Sequence, residues 1–160
     1  MKDVKKLAQF NPCQSALDFV VTCKSYKEAW ETCPRGDWML WIAKTVNVDI
    51  RTLTLAKALC AKTVIHLMKD QRSINAIKVA EDYGNGIGTN EDLKVAYAAA
   101  DAAHAAAYAD AYADAAAAYA AAAAAYADAA AAKQRNQLAT ANICRELLTK
   151  AVFVKVRLLK

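Results

Sequence analysis

No proline or glycine occurs between Thr89 and Ala132, and Leu, Ile and Val are missing from residues 96–132 altogether. The first absence removes every strong helix breaker from that stretch and predicts a helix there. The second removes the side chains that ordinarily fill a core. The five cysteines (Cys13, Cys23, Cys33, Cys60 and Cys144) form an odd set with no CxxC spacing. This fits reduced, buried thiols in a cytoplasm better than a disulfide frame or a zinc site. No run of large apolar side chains reaches membrane-spanning length, and Asp110, Asp114 and Asp128 break the alanine run. Met1-Lys2-Asp3-Val4-Lys5-Lys6 is not followed by an apolar run with a small-residue cleavage site, so no signal peptide is expected. GxGxxG, the phosphate-binding P-loop, GxSxG and HExxH are all missing. The expectation is a protein that is not an enzyme and that needs no cofactor and no metal.

What is present is concentrated in residues 96–132, where 27 of 37 residues are alanine. The exceptions are Tyr97, Asp101, His104, Tyr108, Asp110, Tyr112, Asp114, Tyr119, Tyr126 and Asp128. At about 100° per residue, the tyrosines, Asp101 and His104 fall within an arc of roughly 80°. Asp110, Asp114 and Asp128 fall on the opposite side, within roughly 40° of one another. A tyrosine stripe, a carboxylate stripe and smooth alanine flanks suit contact better than chemistry. Tyr97, Tyr108 and Tyr119 are spaced by eleven residues, and Tyr112, Tyr119 and Tyr126 by seven, which points to growth by repeat expansion. As one rod, residues 89–132 would span about 65 Å. A 160-residue domain is about 40 Å across, so the helix projects, kinks or folds into a hairpin.

Around this stretch the chain reads as further helices. Asn11-Pro12 is a cap and first position for a helix reaching about Thr22. Ser25 and Glu28 have capping-box spacing. Pro34-Arg35-Gly36 is a turn, with Asp37 capping a helix from Trp38 to about Thr45. Asp49 caps a helix to about Met68 whose inner face is Leu53, Ala56, Cys60, Val64 and Leu67. Asp70 or Ser73 opens another that stops at Gly84, and Thr89 with Asp92 caps the alanine-rich helix. A final helix starts near Arg135, and Val152 to Leu158 alternates as an extended tail would. The expected fold is all-α: a single-domain helical bundle over residues 1–160 with one very long Ala-rich helix. Net charge is +4 over residues 1–89, −5 over 90–132 and +6 over 133–160. The basic end is expected to fold back along the acidic helix. Its cations are interleaved with Leu and Val rather than blocked, so neither direct nucleic-acid binding nor membrane binding is expected.

The most distinctive segment outside the alanine run is Cys33-Pro34-Arg35-Gly36-Asp37-Trp38-Met39-Leu40-Trp41. Arg35 and Asp37 can present a charged pair, with Trp38 as an anchor. The bland alternative is a turn whose tryptophans fill the core. This segment, the Leu55–His66 helix, the Ala/Asp/Tyr run and Asn136-Gln137-Leu138 with Asn142-Ile143-Cys144-Arg145 together resemble an immunity-protein family of bacterial polymorphic-toxin systems. The resemblance covers roughly residues 13–155. It implies a mostly helical protein that binds and neutralises a toxin, with Arg35, Asp37, Trp38 and Trp41 as its signature. The expected partner is a protein effector, a toxin or nuclease. The expected contacts are Tyr108, Tyr112, Tyr119, Tyr126, Asp110, Asp114 and Asp128, together with Arg35, Asp37 and Trp38. Two other readings remain open. One is a phage-encoded anti-defence inhibitor of a host immune effector such as a CRISPR nuclease. The other is a self-assembling Ala-rich module, in which the chain is a homo-oligomer.

Overall fold

The computed structural model describes residues 7–101 and 122–158, with backbone alone at 122–129 and 158. Among these residues every regular element is helical. The order is α1 Gln14–Thr22, α2 Tyr26–Thr32, α3 Gly36–Thr45, α4 Ile50–Lys62, a 3-10 turn Ile65–Leu67, α5 Gln71–Gly84, α6 over residues 90–101, and α7 Ala122–Leu158. The protein is all-α.

Local chemistry sets most of the helix ends. Ser25 Oγ accepts the Glu28 N–H at 3.1 Å, while the Glu28 carboxylate reaches back to the Lys24 N–H at 2.6 Å. Asp49 accepts from the Thr52 N–H at 3.0 Å and Asp70 from the Arg72 N–H at 2.8 Å. Thr89 Oγ1 accepts from the Asp92 N–H at 3.2 Å, and the Asp92 carboxylate accepts the Thr89 N–H at 3.0 Å, a reciprocal box that opens α6. Two helices end in Schellman motifs. After α3, Asn47 takes φ 56°, its N–H donates to the Lys44 carbonyl, and the Val48 N–H donates to the Ala43 carbonyl. After α5, Gly86 takes φ 82° and the Ile87 N–H returns to the Asp82 carbonyl.

Four boundaries differ from the sequence expectation. Asn11-Pro12 does not open α1: Asn11 adopts φ 53°, closing a turn back to Ala8, and Cys13 is the N-cap. Asparagine tolerates this left-handed conformation better than most residues. Arg35, not Asp37, stands at the N-cap of α3, so Asp37 lies inside the first turn. Helix α4 stops at Lys62 instead of continuing to Met68, and Leu67 is exposed. Finally, α7 runs unbroken through Ala132 and Arg135, where no residue favours a stop, and on through Val152 to Leu158. The alternating valines of the tail include Val152 and Val156, four apart. Their burial on the helix face toward the core decides for helix over strand. Of the proposed long helix over 89–132, residues 102–121 lie outside the described residues.

Helices α3 and α4 pack on α7, and α5 packs on α4. The core joins Trp30, Met39, Ala43, Leu53, Ala56 and Cys60 to the α7 stripe Ala141, Cys144, Leu148 and Val152. Small residues let the axes approach. A Cβ at Gly36 would lie 2.7 Å from the Cβ and the carbonyl carbon of Thr140. A Cβ at Gly84 would lie 2.6 Å from the Leu55 Cβ. The expected pairing of the basic end with the acidic helix falls largely on residues outside the description. Among the described residues the ion pairs are local or join α4 to α5, as Lys62–Glu81 does at 2.6 Å.

Candidate partner-docking site

The turn between α2 and α3 is fastened from beneath by α7. Arg145 of α7 donates to the Cys33 carbonyl and, at 2.6 Å, to Asn142 Oδ1. Its Nε is buried and has no partner. The Cys144 thiol donates to the Gly36 carbonyl at 3.6 Å, and the Cys33 thiol donates to the Arg35 carbonyl at 3.4 Å. Burial pushes the Cys33 thiol up, so it is a neutral structural group and not a nucleophile. With its base pinned, the turn exposes Pro34 and Asp37 and leaves Arg35 and Trp38 half-buried.

Arg35 and Asp37 pair with each other. Arg35 Nε donates to Asp37 Oδ1 at 2.8 Å and its terminal nitrogen to Oδ2 at 2.6 Å, a bidentate fork. This hydrogen bond holds the Asp37 carboxyl below the usual carboxylate range and raises Arg35. The guanidinium also lies over the Trp38 ring, 4.8 Å from its centroid. The pair is thus a preformed clamp capped by an indole, with the Asp37 carboxylate 57% exposed.

Trp38 forms part of the wall of an apolar cavity of about 310 Å³. Phe19 and Val20 of α1, Trp30 of α2, Trp38, Trp41 and Ile42 of α3, and Val152, Phe153 and Val156 of α7 line it, together with Leu7, Phe10 and Pro12, and it is partly open to solvent. Phe19 and Trp38 meet at a 45° tilt with centroids 6.0 Å apart, and Trp30 meets Phe153 edge-on at 6.3 Å. The Trp30 indole N–H is satisfied by Thr149 Oγ1 at 2.8 Å, so it asks nothing of a ligand. Among the described residues of the wall, Gln9 is the one amide side chain and none is charged. A space of this size and mostly apolar lining suits an apolar group better than a charge, whose desolvation is costly.

The structure brings together three expected site residues, Arg35, Asp37 and Trp38. Tyr108, Asp110, Tyr112, Asp114 and Tyr119 lie outside the described residues. Tyr126 and Asp128 belong to the first turns of α7, and their side chains are also outside the description. Tyr97 is 46% exposed on α6. His66 is exposed on the 3-10 turn, and His104 lies outside the described residues. Sequence reasoning missed Phe19, Thr140 and the anchoring role of Arg145. The signal for Arg145 was a cation on the inward face shared with Ala141 and Leu148. Among the described residues no group of three His, Cys, Asp or Glu side chains could hold a metal ion, and no helix is long and apolar enough to cross a membrane. No protein family, curated protein or solved structure matches the chain.

Proposed function

We propose that this protein is a small inhibitor that binds a protein effector, a toxin or nuclease domain, and blocks it sterically without a catalytic step. The observation that carries the reading is the pairing of the apolar cavity with the Arg35–Asp37 clamp at Trp38. Protein interfaces concentrate their affinity in a few buried aromatic or apolar anchors ringed by polar groups. Here the cavity receives an apolar side chain of the effector, and the exposed Asp37 carboxylate meets a basic group beside it. The resemblance of Cys33–Trp41 to immunity proteins points the same way. In this reading residues 89–132 form one continuous helix, the Tyr108, Tyr112, Tyr119 and Tyr126 stripe and the Asp110, Asp114 and Asp128 stripe extend the contact surface, and the protein acts in the cytoplasm.

The test is affinity capture with the full chain from host and neighbouring-species lysate, followed by mass spectrometry. The expected result is one stoichiometric toxin or nuclease whose activity falls on addition of the protein. Asp37→Lys should lose that partner while keeping its unfolding temperature. A partner from a host defence system would move the role to anti-defence inhibition. Recovery of the bait alone as a discrete oligomer overturns the proposal in favour of self-assembly.

A further inference from the structure

The buried contact between α4 and α7 holds chemistry that partner docking does not use. Cys60 Sγ and Cys144 Sγ lie 4.0 Å apart. Each thiol also faces a backbone carbonyl, Cys60 that of Thr140 at 3.7 Å and Cys144 that of Gly36 at 3.6 Å. We propose that Cys60 and Cys144 are a redox modification site, a dithiol that a peroxide converts reversibly into a disulfide cross-linking α4 to α7.

Geometry favours this pair over the other cysteines. The sulfurs must close from 4.0 Å to a bond length of about 2 Å. Cys13 is exposed at the N-cap of α1, and Cys23 donates to the Phe19 carbonyl at the end of the same helix. The Cys33 thiol is engaged with the Arg35 carbonyl. The two sulfurs of the pair are also not equivalent. Cys60 keeps 9% of its surface exposed, while Cys144 has none. Contact between the two sulfurs holds the Cys60 thiol below its ordinary pKa, and the same contact together with burial pushes the Cys144 thiol up. Cys60 is therefore the attacking sulfur and Cys144 the resolving one.

The chemistry balances with hydrogen peroxide as oxidant. The Cys60 sulfur attacks one peroxide oxygen, an S–O bond forms, the O–O bond breaks, and the departing hydroxide takes the thiol proton as water. The Cys144 sulfur then attacks the Cys60 sulfenic acid. The S–S bond forms, the S–O bond breaks, and a second water leaves with the Cys144 proton. Two electrons pass from the sulfur pair to peroxide, and a thiol reductant reverses the change.

The bond would close a loop of 84 residues that contains the whole Ala/Tyr/Asp stretch. Cross-linking across so long a loop restricts the unfolded chain strongly. The oxidised form would keep the fold and resist unfolding, with a midpoint higher by roughly 5–15 °C.

The experiment exposes the reduced full chain to a small molar excess of hydrogen peroxide and then blocks free thiols with N-ethylmaleimide in denaturant. Peptide masses are read without reduction. The expected product is a monomer two hydrogens lighter, with a Cys60–Cys144 peptide pair, two fewer blocked thiols, a raised unfolding midpoint, and full reversal by dithiothreitol. In Cys144→Ser, Cys60 should instead be trapped by dimedone as a sulfenic acid. Maleimide on both Cys60 and Cys144 after oxidation, or a Cys60 bridge to any other cysteine, overturns the proposal. The wild-type map decides even if the variant fails to fold.

Discussion

Replacing Gly36 with alanine tests the packing that holds the docking turn. The added Cβ would sit 2.7 Å from both the Cβ and the carbonyl carbon of Thr140, and closer still to the Thr140 hydroxyl. The hydroxyl can rotate away, but the backbone carbon cannot. Relief requires the start of α3 to back off α7 by several tenths of an ångström. That movement lengthens the Cys144–Gly36 contact and the Arg145 bond to Cys33, and loosens the core that Met39 and Leu148 share. Forced overpacking costs about 1–3 kcal/mol, and contact with backbone puts this case in the upper half of that range. Alanine regains roughly 0.5–1 kcal/mol through helix propensity and reduced unfolded-state freedom. The net expectation is a loss of about 1–2 kcal/mol, or about 2–8 °C in unfolding midpoint for a chain this size. Urea and thermal unfolding followed by far-ultraviolet circular dichroism measure it. Thr140→Ala in the Gly36→Ala background should restore little, because the Thr140 Cβ and carbonyl carbon remain. A Gly36→Ala protein at least as stable as wild type would refute the close crossing. Full rescue by Thr140→Ala would show that only the hydroxyl stood in the way.

Converting Tyr112, Tyr119 and Tyr126 together to alanine should preserve helix content and weaken partner capture by about 30-fold or more, since anchor residues at interfaces contribute about 2 kcal/mol or more; cooperative unfolding lost in the triple variant would assign the stripe to the core instead. Acid should act through Asp37 and Asp70. Arg35 lowers the Asp37 pKa, and Arg72 holds Asp70 at about 2. A carboxyl depressed in the folded state contributes stability above its unfolded pKa of about 3.9 and loses it as pH falls through the folded value. The Asp37 side chain is more than half exposed, so solvent screening keeps its share below about 1 kcal/mol. Asp37→Asn should therefore differ slightly from wild type at neutral pH and converge with it toward pH 2, as read from urea midpoints; a difference that grows on acidification would contradict the pairing.

Features governed by one local hydrogen bond were legible in the sequence. Ser25, Asp49 and Thr89 cap as their spacing indicates, and of the two candidates Asp70 and Ser73 it is Asp70 that caps, because an N-cap depends on residues three positions apart at most. The apolar stripes Leu53, Ala56, Cys60 and Ala141, Cys144, Leu148 were legible for the same reason: helical period alone gathers them on one face. Features that depend on a partner element were not. Gly36 looks like a turn residue, yet it opens α3, and its role is to let that helix touch Thr140, more than 100 positions away. Asp37 has the chemistry of an N-cap but spends its carboxylate on Arg35. The cavity could not be read at all, since its walls come from α1, α2, α3 and the end of α7, and each contributes residues that resemble ordinary core.

Arg145 joins these two levels. It occupies an inward position on α7, where an aliphatic residue would pack more cheaply, and its Nε remains without a partner. What it gives in return is a cation under the turn, bonded to the carbonyl of Cys33 just before Pro34 and Arg35. Proline fixes its own φ, the Arg35–Asp37 fork fixes the next two side chains, and the Trp38 ring supports the guanidinium. Little conformational freedom is left for a partner to remove on docking, which lowers the entropic cost of association. The same fastening links the docking face to the core, because Cys144, beside Arg145, packs between Gly36 and Cys60. A partner that binds only the folded form must then raise the stability of the whole α3–α4–α7 unit, with the logarithm of its concentration over its dissociation constant. Variants at Asp37 should alter binding with little change in unfolding, and variants at Gly36 should alter binding and unfolding together.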